Sequence, residues 1–243
     1  MPILTKEKND FFIFANMQPL NRHQIATIIA LAFHISGFIA IAFFHSADFL
    51  SKTPLNILVC LALIFYTQNK ISFSFIAFCV AGFIIGFATE AIGVNTGVLF
   101  GHYAYSDLLG PKWKGVPWLI GVQWVVTLYC IGVGMHMLKT YLLERQPNAF
   151  LKFPKWWVTL SVIGDGALLA VLFDWIMEPA AIDMGLWKWQ NNQIPFLNYF
   201  SWWAVSMVLL IIFHFLPFKK HNLFAIHLFM IQMMFFLLVR TFY

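Results

Sequence analysis

The sequence predicts an all-α fold, a polytopic membrane helical bundle of about seven transmembrane helices. Three observations carry that reading. Hydrophobic residues make up 61% of the 243-residue chain and charged residues only 10%, against about 25% charged in soluble domains; mean hydropathy is +0.78. Apolar runs near the ~20 residues needed to cross a bilayer recur down the chain. A helix–loop–helix phrase occurs twice, and in both copies an apolar run closes on a carboxylate.

The runs place spans at roughly 24–45, 53–68, 71–94, 117–139, 157–180, 195–216 and 222–242. The second is the shortest, and only a tight hairpin at Gln68, Asn69 and Lys70 separates it from the third. Asp48 with Lys52, Pro147, Pro154, and Pro217 before Lys219 and Lys220 punctuate the rest. Residues 1–243 are therefore read as a single integral membrane domain. The first 23 residues mix Lys6, Glu7, Lys8, Asp10 and Arg22 with a short aromatic patch and show no small-residue cleavage site. The first span is expected to be retained and to serve as the targeting signal.

Orientation follows from the distribution of Lys and Arg. Lys6, Lys8, Arg22, Lys70, Lys139, Arg145, Lys152, Lys155, Lys219 and Lys220 fall on one face, against Lys52, Lys112, Lys114, Lys188 and Arg240 on the other. That bias puts the N-terminus in the cytoplasm, the chain in the cell (inner) membrane as a multi-pass protein, and both repeated loops on the far face. The net charge of +5 is accounted for by this bias and by anionic membrane lipid. The basic residues form no stripe, so nucleic acid is excluded as a partner. Cys60, Cys79 and Cys130 all lie in apolar spans without a CxxC pair and read as buried small hydrophobes.

The repeat is specific in its offsets. Glu90, Asn95 and Gly97 match Glu178, Asp183 and Gly185. After a loop, Pro117 and Trp124 match Pro195 and Trp202 at the same spacing of seven, although the loops differ, with twenty residues from Gly97 to Pro117 and ten from Gly185 to Pro195. The units, about 71–139 and 157–216, are two spans apart and so read as parallel repeats with both loops on one face. Gly97 and Gly185 suit helix ends, Pro117 and Pro195 suit first helical turns, and the tryptophans suit packing or an interface.

The polar positions read differently, because ionisable groups in membrane helices are costly and are functional candidates by default. Glu90, Asn95, Glu178 and Asp183 are the primary candidates for catalysis. Asp174 joins them because a spacing of four puts it on the face of Glu178; Asp165 reads as structural. Among the dense aromatics, Tyr103, Trp187, Trp189, Trp124 and Trp202 are candidates for substrate binding. Interfacial belts explain many such rings, but electron-rich ring faces also attract cations. The eight histidines show no HExxH or clustered pairs, and no Walker loop or GxGxxG before a helix occurs; no metal site is expected.

The stretches EAIGVNTGVLFGHYAYSDLLGPKWKGVPWLIGVQW at 90–124 and DWIMEPAAIDMGLWKWQNNQIPFLNYFSWW at 174–203 resemble the carotenoid-biosynthesis hydratases of bacteria and archaea, whose activities include gamma-carotene 1′,2′-hydratase and bisanhydrobacterioruberin hydratase. The resemblance covers about residues 70–215. It implies an enzyme that adds water to the terminal double bond of an acyclic carotenoid entering from the bilayer, working beside other carotenoid-pathway enzymes. The residues suit that chemistry. Protonation at C2 leaves a tertiary cation at C1, which water captures. The acid has to carry its proton at neutral pH, which an apolar site favours, and no redox cofactor is needed. Asp183 or Glu178 is the expected proton donor, Glu90 with Asn95 the expected water-positioning pair, and Asp174 and Tyr103 further candidates. A lycopene-cyclase-like enzyme would share the first protonation and exclude water. A small proton-coupled transporter also fits seven spans and membrane acids.

Topology provides a direct check. Reporters in the 97–116 and 185–194 loops should both read the non-cytoplasmic side, and one at 145–156 the cytoplasmic side. Motif loops on opposite faces would separate Glu90 from Glu178 by about 30 Å and favour the transporter.

Overall fold

The computed structural model describes residues 19–146 and 153–243. Lys6, Lys8, Pro147 and Lys152, used above for topology, lie outside the described residues. Within them, seven spans are long and apolar enough to cross a membrane, and the chain is an all-α membrane protein.

Helix α1 (Arg22–Ala42) starts at an Asn21 capping box, in which the Asn21 side chain accepts from the His23 and Gln24 N–H groups and the Gln24 side chain answers the Asn21 N–H. The second span is built from α2 (Ala47–Leu50) and α3 (Thr53–Thr67), with Pro54 in the first turn of α3. Together they reach from Ala47 to Thr67, so this span begins earlier than the 53–68 run suggested. There follow α4 (Phe73–Thr96), α5 (Trp118–Arg145), α6 (Lys155–Asp183), α7 (Phe196–Phe215) and α8 (Leu223–Phe242). Helix α5 runs six residues past the boundary expected at Lys139. That lysine does not end the helix, because its flexible stem lets Nζ reach Thr159 Oγ1 on α6 at 3.3 Å.

Helix α5 is the axis of the bundle. It packs against α3, α4, α6, α7 and α8 and is buried without a break from Trp124 to Val133, as a helix apolar all round requires. The α4–α5 and α6–α7 pairs are closely packed. Gly86 on α4 makes room for Trp124: a Cβ there would lie 2.4 Å from the indole Cγ. At one end of the bundle, Asn222 Nδ2 donates to Thr67 Oγ1 and Tyr129 OH, each at 3.0 Å, and Tyr129 OH donates to Gln68 Oε1 at 2.5 Å. This network ties α3, α5 and the start of α8 and pairs most of the polar groups that hydrocarbon would leave bare, Asn222 Oδ1 excepted.

The opposite end is closed by the two motif loops. Strand β1 (Tyr103–Tyr105) pairs antiparallel with β4 (Trp187–Trp189), setting Tyr103 opposite Trp189 and Tyr105 opposite Trp187. Backbone bonds from Ser106 N to Leu186 O and from Gln190 N to His102 O, both 2.9 Å, extend the pairing at each end. Between β1 and α5, β2 (Lys112–Trp113) and β3 (Val116–Pro117) form a hairpin through Lys114 and Gly115, both at positive φ. The loops therefore sit at the same end of the bundle. Gly97 and Gly185 stop α4 and α6 in the left-handed conformation, at φ +68° and +69°, as expected. Pro117 and Pro195 each precede the first turn as the cap residue, one place earlier than the first-turn position foreseen. The three cysteines are free.

Gly86→Ala should destabilise the bundle by about 1–3 kcal/mol, the usual cost of overpacking a close contact. Gly134, with nothing within 4 Å of an added Cβ, is the control. Thermal unfolding in detergent should show a lower Tm for Gly86→Ala and an unchanged or higher one for Gly134→Ala.

Candidate active site

Two helices deliver carboxylates to the loop-capped end. Glu90 lies six residues before the end of α4, and Glu178 five before the end of α6. Alternate residues of a strand share a face, so each short strand aims two ring donors at one glutamate. Tyr103 and Tyr105 both donate to Glu90 Oε2, the latter at 2.8 Å, and Trp124 Nε1 donates to Oε1 at 3.0 Å. Trp187 and Trp189 donate their indole N–H groups to Glu178 Oε2 at 3.0 and 2.7 Å. Asp174, fully buried one turn before Glu178, accepts from Asn198 Nδ2 at 2.6 Å through Oδ2. Its Oδ1 has no partner among the described residues.

The rings interlock. Trp124 stacks on Trp202 at 4.2 Å between centroids, and Tyr103 packs on Trp189 at 4.8 Å. Burial, reinforced by the Glu90 carboxylate, pushes the Tyr103 and Tyr105 hydroxyls above the ordinary 10.0. Both remain O–H donors across the physiological range.

These groups line a cavity of about 480 Å³, within the roughly 300–1,000 Å³ typical of small-molecule sites. Glu90, Asp174 and Glu178 share it with Tyr103, Tyr105, Trp124, Trp187, Trp189, Asn198 and Trp202. It continues between α1 and α3, where the lining residues Ala32, Phe33, Ser36 and Leu55 are exposed. The cavity thus opens sideways, through a mouth where apolar side chains mix with the polar Ser36, Lys52 and Asn56.

Of the residues singled out from the sequence, Glu90, Glu178, Asp174, Tyr103, Trp124, Trp187, Trp189 and Trp202 come together here. Asn95 and Asp183 do not. Asn95 is exposed and donates to Ala91 O at 2.7 Å and Lys114 O at 2.9 Å, tying the helix end to the hairpin. Asp183 is exposed in the last turn of α6. The reason is helical geometry. Five residues advance about 140° round a helix, whereas four return to within about 40° of the start. If Glu178 faces inward, Asp174 follows it and Asp183 turns away. Asp165 is exposed too. Tyr105, one of the loop aromatics, and Asn198 and Gln232, none of them singled out as a site residue from the sequence, also line the cavity. Solitary amides inside apolar spans were the available signal for the last two.

A family model for carotenoid biosynthesis proteins matches residues 52–243, from the start of α3 to the C-terminus. The chain belongs to that family. Its role is in carotenoid biosynthesis. The match includes all three buried carboxylates and both motif loops, while α1, one wall of the cavity, precedes it. No curated protein and no solved structure matches the chain.

The tyrosines carry a pH signature. Unfolded tyrosine ionises near pH 10, whereas Tyr103 and Tyr105 hold their protons higher in the fold. Above that pH the folded state binds more protons, so stability is fully present below about pH 10 and falls as pH rises beyond it. Thermal melts across that range should show the loss, with a shallower slope in Tyr105→Phe.

Proposed function

We propose that the protein hydrates the terminal 1,2 double bond of an acyclic carotenoid end group by acid catalysis, without a redox cofactor. The observation that carries this reading is an apolar cavity, open to the bilayer, that ends on buried carboxyl groups framed by aromatic faces. A carotenoid is a polyene about as long as a bilayer is thick. It slides in laterally between α1 and α3 with one end against the carboxyl cluster while the remainder stays in lipid.

The three acids are bonded differently, and their proposed roles follow. Glu178 is held on one oxygen by two indole N–H groups, and its other oxygen accepts no hydrogen bond from the described residues. That second oxygen carries the proton and delivers it to C2. As the C2–H bond forms, the π electrons leave C1 as a tertiary cation. Glu90 accepts three hydrogen bonds over both oxygens, an arrangement suited to an anion. Its charge and the ring faces of Tyr103 and Trp189 stabilise the cation. Water bonds to C1, and its surplus proton passes to Asp174. Transfer from Asp174 to Glu178, one turn away on the same helix, restores the starting state. One water is added and no electrons are exchanged.

The positive charge bias supports an inner-membrane location with the N-terminus in the cytoplasm and the site toward the outer face. Other pathway enzymes in the same bilayer would supply the acyclic substrate.

Co-expression with enzymes that make lycopene or gamma-carotene tests the reading. The host should accumulate a more polar carotenoid with a tertiary hydroxyl and an unchanged chromophore, and growth in 18O-labelled water should label that hydroxyl. A cyclised product without oxygen would support the cyclase instead. Glu178→Gln and Asp174→Asn should each lower product by about 100-fold or more, the range of a lost general acid or base, with insertion intact. Asp183→Asn and Lys188→Ala, exposed positions outside the cavity, should stay near wild type.

A further inference from the structure

Gln232 lies midway along α8, is 5% exposed and lines the same cavity as the carboxylates. Its Oε1 is buried and has no hydrogen-bond partner among the described residues. An unpaired acceptor in such a place is destabilising, and an apolar side chain would pack there without that penalty. Asp174 Oδ1 is a second buried oxygen in the same condition on the same cavity.

The two residues are level in the bundle. The ring of Phe173, next to Asp174, packs at 5.6 Å from Phe229 and 5.8 Å from Phe236, which lie about one turn to either side of Gln232. Helices α6 and α8 are packed together, and these ring contacts place part of that packing beside Asp174 and Gln232. Two bare acceptors on neighbouring helices, facing one cavity, match a small ligand that offers two O–H donors and keeps a lone pair of its own. In a hydration reaction that ligand is the water consumed.

We infer that Gln232 Oε1 and Asp174 Oδ1 together hold the water that captures the carbocation. This deepens the hydratase reading and rests on it. The water gives one hydrogen to each oxygen and turns a lone pair toward C1. As the C1–O bond forms, the proton bonded to Asp174 passes to that carboxylate. The hydrogen bonded to Gln232 stays on oxygen and becomes the hydroxyl hydrogen of the product. Gln232 thus touches the reacting water without exchanging a proton. Its effect is on the fate of the cation: held water adds to C1, whereas without it the cation gives a proton from C2 back to the Glu178 carboxylate and returns to alkene.

That division of fates is measurable. Membranes containing the protein would be incubated in D2O with a carotenoid bearing an acyclic end, and product and recovered substrate analysed by mass spectrometry. Wild type should give hydroxylated product with one carbon-bound deuterium and little label in recovered substrate. Gln232→Met, of similar length without the acceptor, should lower hydration about tenfold or more, as loss of a positioning contact does, while deuterium accumulates at C2 of the recovered alkene. That exchange also reports a folded, proton-donating site. Gln232→Glu, which keeps an acceptor oxygen, should restore hydration to within a few-fold of wild type. Loss of hydration and exchange together in both variants, or unchanged hydration in Gln232→Met, would overturn the assignment. Wild-type membranes that neither hydrate nor exchange would instead remove the hydratase reading, and this inference with it.

Discussion

A carboxylate buried in a membrane helix has to be given donors, because lipid supplies none and bulk water is kept away. Much of the loop-capped end of this bundle is arranged around that demand. Glu90 and Glu178 draw on two ring donors each from the loop that follows their own helix. A strand of three residues meets the need economically, since its first and third side chains share a face. The strands in turn leave backbone groups to satisfy, and pairing β1 with β4 does so. Two acids thereby organise two loops, and the loops close the end of the cavity.

The surroundings of the two glutamates then diverge at one pair of positions. Four residues before Glu90 stands Gly86, and four before Glu178 stands Asp174. The glycine lets Trp124 lie against α4 and donate to Glu90, which gives both oxygens of that carboxylate a donor. The aspartate instead engages Asn198 with one oxygen and keeps the other bare. One half therefore has a donor on each carboxylate oxygen, while the other retains acid oxygens free to exchange protons. The proposed roles, anion on one side and acid with base on the other, follow from that difference.

Access and rigidity are divided in the same way. The capped end rests on α5, the most enclosed span, and on stacked rings around Trp124 and Trp202. The lateral mouth lies between α1 and α3, where exposed apolar side chains such as Phe33 and Leu55 alternate with Ser36 and Lys52. A closed, rigid end with a side entrance suits the proposed lipid-dissolved substrate, since most of its length need not be desolvated from water on binding.

The sequence by itself determined what depends on short-range periodicity and composition. Apolar runs located the seven spans, since about 20 residues are needed to cross; Gly97 and Gly185 marked helix ends because their left-handed conformation favours glycine. The spacing of four joined Asp174 to Glu178. What remained was decided by packing between elements distant in the chain. Asn95 and Asp183 recur at matching offsets, yet 3.6 residues per turn carries them off the inward face, and the direction of that face is set only by neighbouring helices. Tyr103 and Trp187 were visible as loop aromatics, but strand pairing across more than eighty residues made them donors to buried acids. Asn198 and Gln232 looked like isolated amides in apolar spans. Only the approach of α7 and α8 to α6 gave the first a partner in Asp174 and brought the second to the same cavity, because such contacts depend on three-dimensional packing that no local pattern encodes.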